Sequence, residues 1–85
     1  MGVVMDIEEL REEIGRIDVR IVELLEERFD IARRIGEVKR EKGLPIRDIN
    51  REQQVLTRVV GKTKLDKDFI RKLFEDVMGY CRENE

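Results

Sequence analysis

Eighty-five residues, 40% of them apolar, 45% charged and 5% aromatic, with one proline and no histidine, allow one small domain spanning residues 1–85. A chain this short buries only about 60 to 65% of the surface its unfolded form exposes, so a stable fold calls for long helices, a partner subunit, or both. Eighteen Lys and Arg against twenty Asp and Glu leave a net charge of −2, the wrong overall sign for a protein that grips nucleic acid.

A single cysteine and no histidine exclude zinc fingers, Ser-His or Cys-His nucleophilic catalysis, and a disulfide framework within the chain. Chemistry must then come from Arg, Lys and carboxylates. No apolar run approaches the roughly 20 residues of a membrane span. The start, Met1-Gly2-Val3-Val4-Met5-Asp6, lacks the basic region of a secretion signal, and Asp6 stands where a myristoylation signal at Gly2 wants Ser or Thr. These features predict a soluble, cytoplasmic protein that binds neither membrane nor nucleic acid.

From Asp6 to about Lys42 there is no proline, and Ile7, Leu10, Ile14, Ile17, Ile21, Leu24, Ile31, Ile35 and Val38 recur in steps of three and four, broken only at position 28. This predicts one helix of roughly 36 residues and about 54 Å, with five heptads of apolar seam. Gly15 and Gly36 weaken it by about 1 kcal/mol each relative to alanine. It breaks at Gly43-Leu44-Pro45.

A second helix is expected from about Asp48 to Val60, with Val55, Leu56 and Val59 as its stripe and Gly61 as its end. A third begins at Asp66, a good N-cap, with Leu65 placed to staple onto Ile70. Its stripe is Phe69, Ile70, Leu73, Phe74, Val77, Met78 and Cys81. The fold class is therefore all-α, with three helices per subunit.

Two short helices cannot cover a seam of about 54 Å. The uncovered part predicts a homodimer in which the long helices pack together and the short ones fold back over them. A monomeric bundle with a bent first helix is the alternative.

Charges in unexpected places bear on function. Arg28 interrupts the seam between Leu24, Leu25, Ile31 and Ala32, which drives its guanidinium towards the interior and towards an anionic partner. Lys39 lies eleven residues on, about 20° around the helix and 16 Å along it, so both cations point to one side. They could converge on a small anionic ligand; equally, Arg28 could snorkel to solvent or pair with a glutamate while Lys39 joins a solvated face. Asp48, Arg51, Glu52, Val55 and Val59 share one face of the second helix. Either Asp48 caps the helix and Arg51 and Glu52 act locally, or this polar end borders a pocket. Spacing does not decide between them. Arg11 is about 25 Å from Arg28 along the helix, too far for one small molecule to touch both. Antiparallel pairing of two long helices would bring Arg11 of one chain near Arg28 and Lys39 of the other.

Leu10-Arg11-Glu12-Glu13-Ile14, Ile17-Asp18, Leu24-Leu25-Glu26-Glu27-Arg28, Ile35-Gly36-Glu37-Val38-Lys39 and Pro45-Ile46-Arg47-Asp48-Ile49-Asn50-Arg51-Glu52 together resemble the all-helical chorismate mutases. The resemblance spans nearly the whole chain, and the Arg-Asp-x-x-Arg-Glu element at this distance from Arg11, Arg28 and Lys39 is specific. It implies an intertwined homodimer that converts chorismate to prephenate without metal, cofactor or covalent intermediate. By resemblance, Arg11 of the neighbouring subunit and Arg28 clamp the substrate carboxylates with support from Arg51. Lys39 donates to the ether oxygen and a carboxylate, and Asp48 and Glu52 hold the ring hydroxyl. Cys81 falls where a serine is often found.

Glu85 falls where a glutamine commonly donates to the ether oxygen. An ionised glutamate cannot donate, so Glu85 either works protonated or is a solvated terminal residue. Two other functions fit less well: isochorismate pyruvate lyase, which uses a similar fold and cationic pocket, and a non-catalytic helical dimer that binds a shikimate-pathway metabolite or enzyme.

Overall fold

The computed structural model describes residues 6–84 and places α1 over Ile7–Lys42, α2 over Ile49–Lys62 and α3 over Lys67–Glu83. The readings at Gly2 and Glu85 lie outside the described residues. The chain divides into two compact units, residues 1–30 and residues 31–85.

The first unit holds the beginning of α1. Asp6 caps the helix: its Oδ1 accepts from the Glu9 N–H at 2.8 Å, and Glu8 and Glu9 set negative charge against the helix N-terminus. Every described residue from Asp6 to Glu27 is exposed. The nine seam side chains of α1, in both units, are between 45% and 66% exposed. The seam exists as the periodicity predicts, and its side chains stay exposed among the described residues.

The second unit contains the last turns of α1 together with α2 and α3. At the end of α1, Gly43 adopts a left-handed φ of 67°. Its N–H donates to the Arg40 carbonyl at 3.2 Å, and the Leu44 N–H reaches the Lys39 carbonyl at 2.8 Å. This is a Schellman end, which glycine adopts without the Cβ clash of other residues. The stop at Gly43-Leu44-Pro45 therefore has its expected cause.

Asp48 precedes α2 as its N-cap, its Oδ1 accepting from the Arg51 N–H at 3.0 Å. Gly61 does not end α2 as expected. Its φ is not positive, so it stays helical, and the chain leaves the helix after Lys62 through the extended backbone of Thr63. The Thr63 hydroxyl accepts from the Leu65 N–H at 2.9 Å, and Asp66 caps α3 by accepting from the Phe69 N–H, also at 2.9 Å.

α2 and α3 pack against each other. Leu56, Ile70, Met78 and Cys81 are buried, while Val55, Val59, Phe74 and Val77 are partly buried. The α3 stripe is wider than the face that α2 covers, so Phe69 and Leu73 are 57% and 42% exposed in the single chain. Leu65 is also largely exposed, and the approach to α3 is held by the Thr63 and Asp66 side chains. No helix of the described residues is long and apolar enough to cross a membrane.

Candidate functional site

Of the polar groups singled out in the sequence, Lys39, Asp48, Arg51 and Glu52 gather, within the second unit, around the start of α2. Lys39, in the last turn of α1, is partly buried, and its Nζ donates to the Ile46 carbonyl at 2.8 Å. The Schellman end fixes the backbone carbonyl of the same residue. Lys39 thus meets the α1–α2 connection twice, once through its backbone and once through its ammonium. That group carries three donors, and the carbonyl takes one of them.

Two residues beyond Ile46, Asp48 caps α2, which makes the local reading of Asp48 correct as far as its Oδ1 is concerned. Arg51 is exposed, and its Nη1 approaches the Gln54 Oε1 at 3.5 Å along the same helix. Glu52 behaves differently. Its Oε2 accepts from Arg82 Nη1 at 2.6 Å and its Oε1 lies 3.5 Å from Arg47 Nη2. The Glu52 side chain is only 17% exposed and that of Arg82 30%. A charge-assisted bond of this length between partly buried groups is stronger than an exposed pair. Cys81 is buried next to Arg82 in α3.

Arg11 and Arg28 belong to the first unit. Arg11 pairs with Glu8 at 2.9 Å, both side chains well exposed, and Arg28 is partly buried. They stand seventeen residues apart on one helix, about 25 Å, so a single chain does not bring them together. Thus Lys39, Asp48, Glu52 and Cys81 share the second unit with Arg51, while Arg11 and Arg28 stand apart from one another in the first.

Sequence reasoning missed Arg82 and assigned no task to Arg47 or to the Ile46 carbonyl. The signal for Arg82 was its position: it follows Cys81 and lies four residues after Met78, a cation on the edge of the buried stripe.

Cations from α1, from the connection and from α3 beside two carboxylate acceptors suit a small anionic molecule that also carries a hydroxyl. The fold and the cluster define an all-α protein of three helices, one of them long and seam-bearing, with a polar group of side chains at the start of α2. The chain matches the model of the family described as chorismate mutase type II over residues 10–85, and it belongs to that family.

The relatives agree. The chain is 42% identical over 59 residues, 69% of its length, to the bifunctional chorismate mutase/prephenate dehydratase of Aquifex aeolicus, covering 16% of that protein. It is 37% identical over 51 residues to the chorismate mutase of Methanocaldococcus jannaschii, covering 60% of this chain and 52% of that one. It therefore spans about a sixth of the first relative and half of the second. A solved structure of chorismate mutase (form II) from Thermus thermophilus superposes with a TM-score of 0.87 at 32% identity, covering 91% of this chain and 90% of the other.

Proposed function

We propose that the chain rearranges chorismate to prephenate as a homodimer whose two sites each draw residues from both subunits. The observation that carries this reading is the family match across residues 10–85, a span containing Arg11, Arg28, Lys39, Asp48, Arg51, Glu52, Cys81 and Glu85. The exposed seam of α1 supports the pairing, because it leaves nine large apolar side chains for a second copy to cover.

The reaction breaks one C–O ether bond and forms one C–C bond within a single molecule, with no net proton transfer. A histidine-free chain suits it. The protein must hold a flexible dianion in its folded, reactive shape and place donors where negative charge develops on the ether oxygen. In this reading Arg28 and the second subunit's copy of Arg11 clamp the two carboxylates, since the planar guanidinium matches a carboxylate bidentately. Lys39 donates to the ether oxygen with an N–H left over from its bond to Ile46. Glu52, with Asp48, accepts from the ring hydroxyl. Arg51 and Cys81 line the pocket, and Glu85 donates to the ether oxygen when protonated.

The test is turnover by the purified chain, followed as loss of chorismate and appearance of prephenate. Removal of a donor aimed at developing charge, as in Lys39→Ala, should lower kcat by about 10²-fold or more. A folded, helical chain that leaves chorismate unchanged would overturn the reading. Mixed dimers of Arg11→Ala and Arg28→Ala chains should regain activity through one intact site. Mixed dimers no more active than either mutant homodimer would refute the shared site.

A further inference from the structure

The ion pairs of this chain are not alike. Arg11–Glu8 and Arg71–Asp68 are exposed pairs three residues apart on one helix, and such contacts contribute little. Arg82–Glu52 joins α3 to α2 across thirty residues of sequence, at 2.6 Å, with both side chains partly buried. The second terminal nitrogen of Arg82 lies over Gly79, 3.7 Å from where a Cβ would stand, so the guanidinium is laid back along α3. Arg47 approaches the other Glu52 oxygen from the connection before α2. The carboxylate is thereby addressed from two directions by two elements.

We propose that Arg82 is the positioning residue of Glu52: it fixes the carboxylate at the start of α2 so that a remaining lone pair can accept from the substrate hydroxyl. The inference rests on the reading of Glu52 given above. Each carboxylate oxygen has two acceptor sites, so engagement by Arg82 leaves capacity for a hydroxyl. A glutamate side chain has three rotatable bonds, and fixing them before the substrate arrives removes that ordering from the binding step. Arg82, at 2.6 Å against 3.5 Å for Arg47, also supplies the nearer balance for a negative charge that faces a dianion. Both effects act through Glu52, and Arg82 itself touches no reacting atom.

A double-mutant cycle with chorismate separates this role from a merely structural one. Arg82→Ala should lower kcat/KM by about tenfold and Arg82→Lys, which keeps the charge but loses the fork, by about threefold. In a Glu52→Gln background, Arg82→Ala should change kcat/KM by less than about twofold, because the charge it balances is gone. Equal losses in both backgrounds would overturn the proposal. Circular dichroism and melting establish that each variant is folded. Should Arg82→Ala not fold, Arg82→Lys alone and with Glu52→Gln gives the same comparison. A parent chain without turnover refutes the proposed function and this inference with it, whereas turnover with additive losses refutes the inference alone.

Discussion

A glutamate placed in the seam of α1 probes the pairing of subunits most directly. Ile17 is 53% exposed and sits on the stripe that runs from Ile7 to Val38. Full burial of such a side chain is worth about 1.5 to 3 kcal/mol, so covering the exposed half gains about 0.8 to 1.5 kcal/mol. Over the eighteen seam side chains of a pair this amounts to roughly 14 to 27 kcal/mol, an upper range because it assumes complete coverage. Association costs about 4 to 15 kcal/mol in lost freedom. Over nearly all of these ranges a surplus remains, which is why the proposed dimer is the expected form.

Ile17→Glu removes about 1 kcal/mol of that gain in each subunit. It also desolvates an unpaired carboxylate at a cost of about 1 to 3 kcal/mol or more. The substitution occurs twice per pair, so association weakens by about 4 to 8 kcal/mol, and the dissociation constant rises by about 10³ to 10⁶. Sedimentation at micromolar concentration should show a dimer for the parent chain and a monomer for Ile17→Glu. Arg33→Glu, a charge change off the seam, should leave the dimer intact. Because the proposed site uses Arg11 across the interface, kcat/KM should fall with the dimer. A parent chain that sediments as a monomer, or an Ile17→Glu chain that stays paired, would refute the reasoning.

Four further tests address other parts of the fold. Gly43→Ala forces a Cβ into the left-handed backbone that ends α1 and should lower stability by about 1 to 2 kcal/mol in thermal unfolding. Gly61→Ala should raise it by about 0.5 to 1 kcal/mol, because that glycine is helical and a Cβ there meets nothing within 4 Å. Asp48→Ala and Asp66→Ala remove equivalent caps, accepting at 3.0 and 2.9 Å, and should each cost about 1 kcal/mol. Of the two, only Asp48→Ala should also lower kcat/KM, and Asp48→Asn, which still caps, separates the cap from the site. Leu56→Ala hollows the small α2–α3 core and should cost about 2 to 5 kcal/mol in denaturant unfolding.

Much of the fold was legible because it rests on local rules. The step of three and four from Ile7 to Val38 gives α1, Gly43-Leu44-Pro45 ends it, and Asp48 and Asp66 open the next helices. The misreadings have physical causes. A glycine stops a helix only when it turns left-handed; Gly43 does and Gly61 does not, a choice composition does not reveal. The α3 stripe identifies apolar residues but not how wide a face α2 covers, and Phe69 and Leu73 lie beyond that face. At the site, Asp48 and Glu52 share a helix face, yet one is bound to its own backbone and the other to a guanidinium thirty residues away. Periodicity reports the face, and a long-range partner such as Arg82 lies beyond it.

The 38 charged residues divide by what holds them, and the division explains how a chain with so few catalytic side chain types could build a site. Pairs three residues apart on one exposed helix, such as Arg71 with Asp68, leave both groups in water, where a substrate carboxylate would gain little over bulk ions. Lys39 and Glu52 are instead partly withdrawn from water and held by groups from other elements, a carbonyl for the cation and a guanidinium for the anion. Fixed partners of that kind cost no rearrangement when charge shifts in the substrate, and this matters most for a reaction that moves electrons without moving a proton. Under the proposed function, the same logic gives the exposed seam a catalytic meaning. Arg11 and Arg28, about 25 Å apart on one helix, serve one small molecule only when a second copy supplies one of them, so pairing that covers the seam would also complete the site.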